Sequence, residues 1–151
     1  SYVDSLTYAQ NRNHFNEYLK KNRCKELHFV GVIYLDLNGL KEINDKMGHL
    51  AGDTLIISAS YVLQEIFADN SYRIGGDEFV VIEQDVLESE FMSKYNKLLV
   101  RMKELEISVA TGYIWKERCL NLSEILQAAD QKMYEDKKRY YSIAQKDRRR
   151  R

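Results

Sequence analysis

A chain of 151 residues with 23 basic and 23 acidic side chains has no net field to draw it onto nucleic acid or an anionic membrane, so any phosphate binding must be local. Its length suits one domain, because a chain of this size buries about 68–70% of its unfolded surface in a single core. Cys24 and Cys119 stand far apart with no CxxC or Cys/His cluster, which argues against a zinc site or a disulfide framework and for reduced thiols in a cytoplasmic protein.

No apolar stretch approaches membrane-spanning length, and the opening SYVDSLTYAQ lacks a basic-then-apolar signal pattern. Because it starts on Ser1 rather than Met, the chain reads as a piece of a longer protein, with a sensor or a membrane anchor expected elsewhere. There is no proline, so boundaries are read from glycine, asparagine and periodicity. Phe15, Tyr18 and Leu19 recur at helical spacing and predict a first helix. FVGVIYL at 29–35 is a continuous apolar run, as expected of a central strand buried on both faces, and it ends at Asp36. Helices follow at 39–47 and 53–68, with Gly48 and Gly52 breaking the run between them. Strands at 72–74 and 79–82 flank the connection 75–78, a length suited to a hairpin. Phe91, Tyr95, Leu98, Met102 and Leu105 give another amphipathic helix, and Ile107, Val109, Thr111, Tyr113 and Trp115 alternate as a strand does. Asn121 with Glu124 marks a last helix start, with Leu122, Ile125, Leu126, Ala129 and Met133 as its buried stripe. The class is α+β, a small mainly antiparallel sheet flanked by helices. Residues 142–151, ending KDRRRR, are expected to form a solvated, disordered basic tail outside a domain at 1–141.

The chemistry is carried by RIGGDEFVVI at 73–82. Adjacent Asp77 and Glu78 beside a strand ending in Asp36 give converging carboxylates, which repel one another unless a hard cation neutralises them. Magnesium fits, and it usually binds through one or two carboxylates together with substrate phosphates, which points to a nucleotide. Gly75 and Gly76 suit a tight turn and the close approach of backbone to a bulky ligand. Asp36 also has the plain alternative of a cap after a strand, and Asp45, Gly48 and His49 suit a turn between helices.

Over 4–141 the chain resembles the GGDEF family of diguanylate cyclases, through DSLTYAQNR, DLNGLKEINDKMGHLAGD, RIGGDEF and AADQKMYEDK in family order. The resemblance implies a nucleotidyl-cyclase or polymerase-palm-like fold. It implies that Asp36, Asp77 and Glu78 are catalytic, and that these with the Leu37 carbonyl hold one or two Mg2+ or Mn2+ ions. By the same resemblance Asn38, Gly39 and Leu40 form the loop that meets the β- and γ-phosphates, Lys41 and Lys137 contact phosphate, and Asn44 and Asp53 read guanine. A carboxylate can accept from guanine's ring N–H and exocyclic amine together, and such sites discriminate on the order of 10⁴-fold. The implied reaction condenses two GTP into cyclic di-GMP across a homodimer, one metal lowering the pKa of the attacking hydroxyl and the other steadying pyrophosphate.

Four departures from the family stand out. Leu6, Thr7, Tyr8 and Ala9 replace the usual LTGL, Asn38 stands where many members carry aspartate, and Tyr140 and Tyr141 replace a Gly-Arg pair, which implies a weaker phosphate clamp. Where product-inhibited members carry Arg-x-x-Asp, the chain reads Ile66, Phe67, Ala68 and Asp69, so no tight product feedback is expected beside Asp69. Two rivals to the enzyme are a catalytically silent GTP-binding module and a structural domain that binds no nucleotide.

Overall fold

The computed structural model describes residues 1–150. Its elements run α1 (Arg12–Lys21), β1 (Leu27–Leu37), α2 (Leu40–Met47), α3 (His49–Phe67), β2 (Ser71–Arg73), β3 (Glu78–Glu83), α4 (Glu88–Glu104), β4 (Val109–Cys119) and α5 (Leu122–Arg150), with one 3-10 turn at Ala68–Asn70. The strands form a single antiparallel sheet in the order β2-β3-β1-β4. The α+β expectation therefore holds.

β1 is central because its apolar run is buried on both faces. Successive side chains of a strand point to opposite faces, and here each face has its own helices. Ile33, Leu35 and Leu37 join Phe79 and Val81 against α3 and α4, through Ala59, Leu63, Phe67, Phe91 and Leu98. Val30 and Val32 join Val80 and Ile82 against α1 and α5, through Phe15, Ile125, Leu126 and Ala129. The alternation continues to the strand end and puts Asp36 on the α5 side. There Asp36 is paired with Glu78 across the β1–β3 ladder.

Three boundaries differ from expectation for physical reasons. Only Gly48 interrupts the segment between α2 and α3, with φ 87° and ψ 164°; Gly52 is buried inside α3, which begins at His49 rather than at residue 53. Glu78 is the first residue of β3 and not part of the turn, since the Ile74 N–H donates to the Glu78 carbonyl at 2.9 Å. The tail expected to be disordered continues α5 to Arg150. Nothing between Leu122 and Arg150 stops a helix, as the stretch contains neither glycine nor proline. Arg148 comes within 3.8 Å of Glu42 on α2.

Candidate active site

The site is built where β1 ends. Leu37 donates its N–H to the Asp77 carbonyl at 2.9 Å and Asn38 donates to the Ser108 carbonyl at 3.0 Å, so the loop into α2 is held by the GGDE turn on one side and the approach to β4 on the other. Gly39 lies in the left-handed region at φ 69° and starts α2 with no side-chain cap. The leading N–H groups of α2 are consequently free to meet an anion.

Asp36, Asp77 and Glu78, predicted together, are brought together. Asp36 is 5% exposed, its Oδ2 accepts from Lys137 Nζ at 2.6 Å, and its Oδ1 is buried with no partner. Burial and the neighbouring Asp77 push its carboxyl up to about 6, against the pull of Lys137. Glu78 is raised as well, by burial and then by Asp130 and Asp77, with Arg12 and Lys137 opposing. Burial is the larger cause for both and neighbouring acids add to it, so cationic compensation would favour their charged forms.

A hard divalent ion fits this set. Its donors are all oxygens, one of them is a buried carboxylate oxygen lacking any partner, and the Leu37 backbone belongs to the same strand end. Among the described residues no group of three or more His, Cys, Asp or Glu side chains forms a ready-made cage. Magnesium does not require one, since it retains waters and takes phosphate oxygens alongside one or two carboxylates.

The two proposed guanine readers sit on facing helices. Asn44 is half-buried on α2 with its Oδ1 lacking a partner, against Gly52 of α3, and Asp53 is half-buried on the next residue. Lys41 is exposed on the first turn of α2. Gly75 and Gly76 are exposed and neither lies in the left-handed region, so the turn itself does not require glycine. A Cβ on Gly76 would meet nothing within 4 Å, so the space beside this glycine is open.

A family model described as "Diguanylate cyclase, GGDEF domain" matches residues 1–141. The chain belongs to the GGDEF family. Signaling protein YkoW of Bacillus subtilis is 36% identical over 95% of the chain and 21% of its own length, and the probable diguanylate cyclase DgcI of Escherichia coli is 31% identical over 91% and 31%. The chain thus spans a fifth to a third of the length of these relatives. The GGDEF domain of DgcB from Caulobacter crescentus, solved in complex with c-di-GMP, superposes with a TM-score of 0.77 at 21% identity over 91% of each chain. That likeness shows the fold.

Several residues that hold this GGDEF site together were unassigned in the sequence. Ser108 accepts from the Asn38 amide at 3.1 Å. Arg12 donates to the Ile74 carbonyl at 2.9 Å, and Arg73 bridges the Gly76 carbonyl at 2.8 Å to Asp4 at 3.0 Å. Both arginines stand inside the matched segments, and that was their one signal. Tyr140 brings its hydroxyl to 3.5 Å from where a Cβ of Gly39 would stand, behind the loop. Arg139 pairs with Asp136 at 3.3 Å and does not replace the arginine missing at Tyr141. Tyr8 keeps a left-handed backbone, φ 59°, where the family has glycine. Asp69 is exposed in the 3-10 turn. Among the described residues no helix is long and apolar enough to cross a membrane.

Proposed function

We propose that this GGDEF domain is a diguanylate cyclase that condenses two GTP into cyclic di-GMP with release of two pyrophosphates. The observation that carries the reading is Asp36, a buried carboxylate opposed to Glu78 and beside Asp77, with one oxygen left without a partner. Magnesium or manganese bound by Asp36, the Leu37 carbonyl, Asp77 and Glu78 would neutralise triphosphate charge and acidify the ribose 3′-hydroxyl.

The chain's own residues do the rest. The uncapped start of α2 receives the β- and γ-phosphates through backbone N–H groups of Gly39 and Leu40, the Asn38 N–H expected to join them being held by the Ser108 carbonyl, with Lys41 and Lys137 as cationic contacts and Gly75 and Gly76 leaving room for the approach. Asn44 and Asp53 orient guanine, and Asp53 left unpaired by adenine disfavours ATP. Each 3′-hydroxyl then attacks the α-phosphate of the other nucleotide. One domain holds one GTP, so two copies must face each other, and a regulatory segment elsewhere in a longer, cytoplasmic protein would bring them together.

A second reading, a silent GTP-binding module, draws on Tyr141 standing at the arginine position while Arg139 is committed to Asp136. The chain fused to a dimeric coiled coil, incubated with GTP and magnesium, separates the two by product chromatography. Cyclic dinucleotide and pyrophosphate, both lost in Asp77→Ala, support the cyclase. GTP that stays bound without turnover supports the module.

A further inference from the structure

Lys137 was expected to reach for phosphate, but in the free chain its ammonium is spent elsewhere: Nζ lies 2.6 Å from Asp36 Oδ2, with side chains 28% and 7% exposed. We infer that Lys137 is an exchangeable internal cation, which neutralises Asp36 while the site is free and moves to a nucleotide phosphate when a divalent ion takes over the carboxylate. The inference rests on the nucleotide and metal reading above.

Three features support it. First, among the described residues Lys137 makes the one ion pair to any of the three acids, and makes it to Asp36, while Arg12 is bonded to the Ile74 carbonyl, Arg73 to Asp4 and Arg139 to Asp136. Second, one ammonium satisfies one carboxylate oxygen here and leaves Asp36 Oδ1 buried without a partner, an incomplete arrangement that a divalent ion would complete. Third, the helix carrying Lys137 is fixed on both sides of it, by buried Met133 one turn before and by Tyr140 against Gly39 after. The flexible four-carbon stem can therefore swing while α5 stays in place.

The consequence is a coupling. A divalent ion entering alone meets the ammonium already seated on its carboxylate, and an ammonium displaced with no anion nearby would be left part-buried beside a like charge. Triphosphate at the uncapped start of α2 supplies that anion. Metal and nucleotide should thus bind each other's complexes well and the metal-free or nucleotide-free chain poorly.

Manganese, read by electron paramagnetic resonance, tests this on the full chain with and without a non-hydrolysable GTP analogue. Lys137→Met is expected to bind Mn2+ alone about tenfold more tightly than wild type, yet to bind the analogue in the presence of Mn2+ about tenfold more weakly. Asp36→Asn should remove the gain when added to Lys137→Met. A lysine that merely props Asp36 would give unchanged or weaker Mn2+ binding in Lys137→Met, and that result overturns the inference while leaving the nucleotide reading intact. Wild type that takes up neither Mn2+ nor the analogue under any condition overturns both. Should Lys137→Met lose its cooperative thermal transition, Lys137→Gln provides the same comparison.

Discussion

Asp36 and Glu78 oppose each other directly across the β1–β3 ladder, on the face that α5 covers. Like charges in that position destabilise a sheet by up to about 1 kcal/mol. With no divalent ion present, Glu78→Gln should therefore raise the unfolding free energy at neutral pH by about 0.5–1 kcal/mol. The sign agrees with the titration: burial, then Asp130 and Asp77, raise Glu78 in the folded chain, so its charge is a penalty that is complete above the raised value and disappears as pH falls through it. The gain should vanish in acid. Thermal melts in a chelating buffer at neutral and acid pH check both halves, and a variant less stable than wild type at neutral pH would contradict the geometry.

Gly52 makes room for Asn44. A Cβ at residue 52 would stand 1.8 Å from Asn44 Oδ1 and 2.8 Å from its Cγ, and the obstructed atoms are the movable end of a side chain. Gly52→Ala should accordingly leave the fold intact and turn the Asn44 amide away. If Asn44 reads guanine, affinity for a GTP analogue should fall about tenfold, the worth of one lost hydrogen bond to a buried polar group. Asp53→Ser should instead narrow the preference for GTP over ATP. Calorimetry of both nucleotides against the two variants, with circular dichroism to confirm the fold, measures the difference.

Arg73 joins the start of the chain to the GGDE turn through Asp4 and the Gly76 carbonyl. Burial pushes Asp4 up, but hydrogen bonds from Thr7 and the Arg73 guanidinium outweigh it and hold the carboxyl below its ordinary range. A depressed carboxyl contributes stability above its unfolded value, and the contribution is lost as pH falls through the folded one. Arg73→Met should lower stability by about 1–2 kcal/mol at neutral pH and by less in acid, once pH has fallen through the depressed Asp4 carboxyl and protonated it in wild type too. Denaturant titrations at the two pH values give the comparison, and an equal loss at both would remove the ion pair as the cause.

The carboxylates were legible in sequence because an apolar run ending in aspartate and a glycine turn followed by two acids each declare themselves locally. The period-two alternation of β1 places Asp36 on the α5 face, but only the register with β3 puts it opposite Glu78, and register is a long-range property. Lys137 was assigned to phosphate from the family pattern; its contact with Asp36 depends on how α5 crosses the sheet, which no local spacing encodes. Gly52 was misread as a helix breaker because glycine's backbone freedom and its lack of a side chain leave the same letter in a sequence. The basic tail is exposed as its charge suggested, but it lies in α5, since solvation does not prevent a helix from continuing where neither glycine nor proline stops it.

The crossing of α5 over the sheet is set at Gly112. A Cβ there would lie 2.2 Å from the Ala129 carbonyl oxygen and 2.4 Å from the Met133 nitrogen, and backbone atoms of a packed helix cannot step aside as a side-chain end can. Gly112 faces Tyr34 on β1 in the ladder, two residues from Asp36, so lifting α5 here would draw Lys137 away from its carboxylate. Gly112→Ala should destabilise the domain by about 1–3 kcal/mol, the usual range for overpacking, and Gly112→Val by more. Since Lys137 would retreat with the helix, the alanine variant should also lose affinity for the GTP analogue in the presence of magnesium. Urea unfolding with calorimetry tests the pair of effects together, and full stability with unchanged affinity would mean that α5 does not approach β4 as closely as its backbone indicates.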